Sequence, residues 1–322
     1  PGPSLVHMYR SLVVPCARAG DCDSVTQAFI SRYPLLRDLS PALAVLPLLT
    51  GIFWGAPLIA RELESGTFRL AWTQSVSRTR WLAVKVAVVG LISVAVTGAL
   101  TLMVGWWSSL IDKVGANRFG VGVFGERGVA PLGYAAFAFA LGLTLGLLIR
   151  RTLPAMAAAV VIFTAVRMSV ALLLREHFIK PVHAILPFNL SNLQPSAAGA
   201  NAWTIADQTI NAAGKVFGAN GGFGPNGQIS IGPMSNGTGV AIGPGVGTCP
   251  NLNLPALTGR SPGAGPGAVV QQCINQLHIR TVVTYQPASR YWGFQWREFG
   301  LFLLIALLLV GFCFWWLRRR LA

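Results

Sequence analysis

Long apolar runs alternate with short polar breaks along this chain. Runs of roughly 18 or more apolar residues read as membrane helices. Five occur here, at Leu39–Ala60, Trp81–Trp107, Leu132–Ile149, Leu153–Leu174 and Phe299–Leu317. The breaks between them differ in kind. Arg150-Arg151-Thr152 is all that separates the third run from the fourth, which predicts a tight hairpin, with Pro154 in the first turn of the second helix. Ser108–Ala130 reads as a loop, and Arg175–Arg297 as a long polar region. Its middle, Asn192–Val270, holds 17 of the 36 glycines. Such a stretch buries little apolar surface and costs much entropy to order, so it reads as disordered or as an irregular lobe. Its flanks, Phe178–Leu190 and Ile279–Tyr285, are β-prone and aromatic and predict an ordered base. The fold class expected is therefore an all-α polytopic membrane protein with a glycine-rich lobe.

Within the runs, small residues and prolines change the picture. Gly142, Gly146, Ala155, Ala157, Ala158 and Ala159 allow helices to approach closely. Pro41, Pro47 and Pro57 in the first run leave backbone carbonyls that neighbours must satisfy. That suits either a kinked helix lining a pathway or a purely structural kink.

Charge orients the runs. The chain is 53% hydrophobic and 11% charged, with net charge +15. Ten of the 25 Lys and Arg lie in Arg61–Lys85, Arg150–Arg151 and Arg318–Arg320, and these segments alternate with sparsely charged ones. Short cytoplasmic connections retain Lys and Arg, so Pro1 is expected outside and Ala322 inside. The basic balance then reflects topology and anionic membrane lipids, and no nucleic-acid partner is expected. The resulting division is 1–40 outside, four spans over 41–174, 175–297 outside with 192–270 flexible, and 298–322 as last span and Arg tail. Cys16, Cys22, Cys249 and Cys273 fall in the outside segments, while Cys313 lies in the last span. Four cysteines in an oxidising compartment predict two disulfides. Three connectivities are possible, and locality favours Cys16–Cys22 and Cys249–Cys273.

Candidate chemistry is sparse. There is no G-x-x-x-x-G-K-[ST] loop, so any ATPase must be a separate polypeptide. No H-E-x-x-H, C-x-x-C or His cluster suggests a metal site. All ten acids fall in loops or at span ends, and Arg167 is the one charge well inside a span. Arg167 reads as a snorkelling side chain, a bundle charge or a pathway contact.

The segment after the first run is the most patterned polar stretch. Glu62 and Glu64 follow the run, Ser65-Gly66 makes a turn, and Gly66 permits positive φ. Thr67 is a good N-cap for a short helix near 67–75, with Phe68, Leu70, Ala71 and Trp72 beside Arg69 over Phe68–Gln74. Ser75-Val76-Ser77 ends it, and Arg78-Thr79-Arg80 leads into the next run. By composition this is either an amphipathic helix lying on lipid or a stub that fits a partner's groove.

The pattern R-E-L-E-S-G-T over Arg61–Thr67, followed by Ser77-Arg78 and Lys85, resembles the cytoplasmic segment of ABC-2 type transporter permeases. W-G-A-P-L-I-A-R-E-L-E-S-G-T, L-A-W-T-Q-S-V-S-R-T-R-W-L-A-V-K and R-R-T-L-P-A-M-A look like permease subunits of actinobacterial ABC transporters. The resemblance is strongest over Pro41–Leu174 and gives no signal over Ser191–Val270. It implies that Glu62, Glu64, Gly66, Thr67, Phe68, Arg69, Trp72 and Arg78 dock on and couple to a separate ATPase, which would bind ATP and Mg. No cofactor is expected in this chain. It also implies a second permease copy or homologue, a first helix preceding this chain, and outward movement of an amphipathic drug, natural product, peptide or lipid. Two other classes remain at this stage. One is a membrane-anchored sensor with a ligand-binding lobe, and the other a secondary transporter, against which the lack of carboxylates within the spans argues.

Overall fold

The computed structural model describes residues 45–66, 77–112, 118–188, 202–219, 231–233, 240–242, 247–249 and 266–320, with isolated positions near the start. Two compact units emerge, residues 1–179 with 290–322 and residues 180–289.

The first unit is a helical bundle. Its elements are α1 (Leu46–Ser65), α2 (Arg78–Asp112), the single turn α3 (Val121–Phe124), α4 (Ala130–Ile149), α5 (Thr152–Ser169) and, after the second unit, α7 (Tyr291–Arg320). A π-helical stretch, Val170–Leu174, and a 3₁₀ turn, Arg175–His177, extend α5. Among the described residues, four helices are long and apolar enough to cross a membrane, over Thr79–Trp106, Ala130–Ile149, Thr152–His177 and Ala288–Arg319. α1 covers much of the first run, Leu39–Ala60, but falls outside this group. Its prolines and its Arg61-Glu62 end dilute the apolar run. Pro47 sits in the first turn, where its missing N–H costs nothing. Pro57 lies inside the helix and removes one bond there.

α4 is the centre of the bundle. It is apolar around its whole circumference, as expected of a buried helix, and 72% of its apolar window is inside against 17% for α2. Glycines let α1 press against it. A Cβ at Gly142 would sit 2.9 Å from the Ala56 amide nitrogen, and one at Gly146 would sit 2.7 Å from the Ala56 carbonyl oxygen. At the level of the α4–α5 turn, Ile59, Leu82, Leu143, Leu147, Cys313 and Leu317 form a common apolar layer. Large apolar side chains on α2 and α5, such as Leu91, Leu102, Leu153 and Val161, point outward. That inverted surface suits a lipid solvent.

Two expectations for the first unit are corrected. Ser108–Ala130 is not simply a loop: α2 continues to Asp112, and α3 follows with Phe119 and Phe124 buried beside it. Aromatic side chains at this level have an apolar site to fill. The helix that carries the last run also begins before Phe299, and Tyr291-Trp292-Gly293-Phe294-Gln295-Trp296 forms its first turns.

The second unit corrects the all-α expectation. It holds a four-stranded antiparallel sheet in the order β1-β7-β2-β3, from β1 (Val182–Pro187), β2 (Trp203–Ile210), β3 (Val216–Ala219) and β7 (Arg280–Gln286). β1 and β7 pair from Val182↔Tyr285 to Pro187↔Arg280, within the flanks read as an ordered base. β2 was placed in the glycine-rich lobe, yet Trp-Thr-Ile-Ala-Asp-Gln-Thr-Ile contains no glycine and is rich in branched residues that favour a strand. A second sheet, β4 (Ile231–Pro233), β5 (Val240–Ile242) and β6 (Gly247–Cys249), and helix α6 (Pro266–Gln276) complete the described part. A Cys249–Cys273 disulfide ties β6 to α6. Cys16 and Cys22 lie outside the described residues.

Candidate functional site

The charged segment singled out in the sequence begins where α1 ends. Gly66 closes the helix at φ 75°, a left-handed conformation that costs glycine nothing. The two acids just before it are both committed to neighbouring helices. Glu62 forms an ion pair with Lys85 of α2, whose ammonium also lies 4.3 Å from the centre of the Trp81 ring. Glu64 accepts two hydrogen bonds at Oε2, from the Thr152 backbone N–H at 3.2 Å and from Thr152 Oγ1 at 2.9 Å.

Thr152 is the first residue of α5. The first N–H groups of a helix have no partner within it, and the helix dipole favours an anion there. Arg151, the N-cap of α5, makes no side-chain cap of its own. Glu64 therefore caps a helix from across the bundle. The Thr152 hydroxyl, then the Thr152 N–H and, more weakly, Arg151 hold the Glu64 carboxyl below the usual carboxylate range, against a slight desolvation. The turn before α5 is held by Arg150, left-handed at φ 57°, which donates its N–H to the Gly146 carbonyl at 3.1 Å. On the other side of the segment, Ser77 caps α2: its Oγ accepts the Arg80 N–H at 3.4 Å. Pro57, Arg61, Glu64, Ser65 and Thr152 line an open groove of about 530 Å³.

Of the residues expected to form this site, Glu62, Glu64 and Gly66 are gathered at the end of α1, and Arg78 begins α2. Thr67, Phe68, Arg69 and Trp72 lie outside the described residues.

The opposite end of the bundle carries a polar cluster that sequence reasoning missed. Arg175 and Glu298 were placed at span ends, but their side chains are 2% and 0% exposed. Arg175 grips Glu298 with two bonds, Nε to Oε2 at 3.0 Å and Nη2 to Oε1 at 3.1 Å. The Tyr134 hydroxyl of α4 also donates to Glu298 Oε1, and the guanidinium lies 4.1 Å from the centre of the Phe124 ring. This bidentate, fully partnered arrangement is what a buried ion pair requires. Arg167 turns into the bundle beside the cluster, its Cζ 4.9 Å from the Tyr134 ring centre. Gly125 leaves room for its guanidinium, which any Cβ there would strike. Arg167 is thus not the lone interior charge expected. Gln295 completes the layer: Oε1 accepts the Ala130 N–H at 2.8 Å, and Nε2 donates to the Phe124 carbonyl at 3.0 Å. One signal pointed here. Tyr134, Arg175 and Glu298 stand near the ends of three runs, and alternating chain direction brings those ends level.

Among the described residues, no three His, Cys, Asp or Glu side chains gather to hold a metal.

A family model described as ABC-2 membrane transporter related matches residues 1–175, a stretch that includes α1, α2, α4 and α5. No curated protein and no solved structure matches significantly.

Proposed function

This chain belongs to the ABC-2 membrane transporter related family, and on that premise we propose that it is the permease subunit of an ATP-driven exporter. In this reading it is a multi-pass membrane protein with five spans, α1 being the one with polar interruptions. The Arg61–Lys85 segment, Arg150-Arg151 and the Arg318–Arg320 tail face the cytoplasm, following the distribution of basic residues. Residues 180–289 then lie outside the cell. A separate ATPase binds and hydrolyses ATP with Mg, and a second copy or a homologue completes the pathway. The cargo is amphipathic.

The observation that carries this proposal is the construction of the charged end. The polar segment leaves α1 at Gly66 and enters α2 at the Ser77 cap, and the helices on both sides are braced by Glu62–Lys85 and Glu64–Thr152. A segment that receives force needs such stiff exits; a helix resting on lipid does not. Phe68 and Trp72 are the proposed anchors on the ATPase, because aromatic residues carry a disproportionate share of interface energy. The test is co-purification with the ATPase, together with ATP turnover. Phe68→Ala and Trp72→Ala should each release the ATPase while the chain stays folded in the membrane. Unchanged association and turnover in both variants would make the segment a lipid-surface helix.

A further inference from the structure

We infer that Glu64 is a positioning residue that transmits movement of the docking segment to α5, and that it does not itself contact the ATPase. This rests on the docking reading above but assigns Glu64 a different role from the one its motif suggests.

The geometry separates the two acids of the motif. Glu62 returns to Lys85 on α2, the helix that already continues the docking segment on its far side. Glu64 instead reaches α5, which is far away in the chain and joined to the segment only through α2 and α4. Covalent continuity moves α1 and α2 whenever the segment moves. Motion of α5 needs a contact, and the Glu64–Thr152 pair supplies one at the point where α1 gives way to Gly66. Both acceptor bonds use the same carboxylate oxygen, and both donors belong to one residue at the helix start. Pulling Glu64 therefore acts on the start of α5 through its backbone, not through a flexible side chain alone. The negative charge adds attraction to the helix N-terminus, and the depressed carboxyl of Glu64 agrees with that. Arg61, one turn earlier and exposed, is left as the motif charge that faces outward.

The experiment uses the chain assembled with its ATPase in lipid. A fluorescent label at Leu172→Cys, an exposed site on the extension of α5, reports movement of that helix on adding ATP and Mg. Co-purification of the ATPase is read in parallel. Glu64→Ala should retain the ATPase yet reduce the ATP-dependent label signal about fivefold, the low end of ordinary coupling effects, and Thr152→Val, which loses the hydroxyl bond but keeps the backbone one, should reduce it less. The double variant should be no worse than Glu64→Ala alone, because that change already removes both bonds. Glu64→Gln and Thr152→Ser, which keep an acceptor and a hydroxyl, should restore most of the signal. Loss of the ATPase in Glu64→Ala alone would overturn the inference and make Glu64 a partner contact. A full label signal in both single variants would also overturn it. An unaltered chain that fails to retain the ATPase would instead overturn the docking reading itself.

Discussion

Both ends of the helical bundle cap a buried or half-buried helix start with a side chain from another helix, yet they use different groups. At the charged end, the Glu64 carboxylate serves Thr152 at the start of α5. At the other end, the neutral Gln295 amide serves Ala130 at the start of α4. Exposure accounts for the choice. Glu64 stays in contact with solvent, where a carboxylate is cheap to keep ionised and gains from the helix dipole. Gln295 is fully buried, and a buried amide with all its bonds made costs far less than a buried charge. Where the buried end does hold a carboxylate, Glu298, it surrounds it with Arg175 and the Tyr134 hydroxyl. The buried end reads as a lock built for permanence. The charged end is a more exposed joint between helices, the end that the proposed function assigns to the ATPase.

The comparison breaks first at the ion pairs. Removing one partner of the buried pair, by Arg175→Ala or Glu298→Ala, should cost about 3–5 kcal/mol, since it strands the other charge. Replacing both with methionine should recover most of that loss. Unfolding midpoints in detergent test this, and equal stability of single and double variants would show that the pair is not the lock. The charged end should behave differently. Glu62→Ala or Lys85→Ala, which break a partly exposed pair, should cost less than about 1 kcal/mol.

Between these extremes lies the buried cap. Gln295→Leu leaves the Ala130 N–H without its acceptor and should cost about 1–3 kcal/mol. Protection of the α4 N-terminus against hydrogen exchange should fall with it. The packed waist that joins the two ends offers a control: Gly142→Ala should force α1 off α4 and cost about 1–3 kcal/mol by overpacking, without favouring either end.

The smallest expected effect is a pH dependence at the charged end. The folded carboxyl of Glu64 is depressed, so its contribution is fully present above the ordinary carboxylate value. It is lost as pH falls through the lower folded value. Acid should therefore loosen the Glu64–Thr152 contact, and Glu64→Gln should remove that sensitivity. Hydrogen exchange at the start of α5, followed across the acid range, checks this.

How much was legible depended on whether a residue's role is local. The apolar runs gave helices, because length and hydropathy are properties of consecutive residues. β1 and β7 came from flanks already rich in branched and aromatic side chains. β2 was hidden by the glycines around it, although its own eight residues are strand-like. Gly66 was legible as a turn from the residue alone. The partners of Glu64 and Glu298 were not, since Thr152 and Arg175 lie 88 and 123 positions away and meet them only through packing. Sequence read the first run as a span, while the prolines and charged end of α1 keep that helix out of the group apolar enough to cross a membrane.

The measurement that tests the account most directly is site-specific crosslinking to the ATPase in native membranes. A photo-reactive residue is placed at Arg61 in one variant and at Trp292, exposed at the opposite end of the bundle, in another. A covalent adduct between this chain and the ATPase from Arg61, with none from Trp292, is the predicted result. An adduct from Trp292, or none from Arg61, would contradict the assignment of the charged end as the face that meets the ATPase.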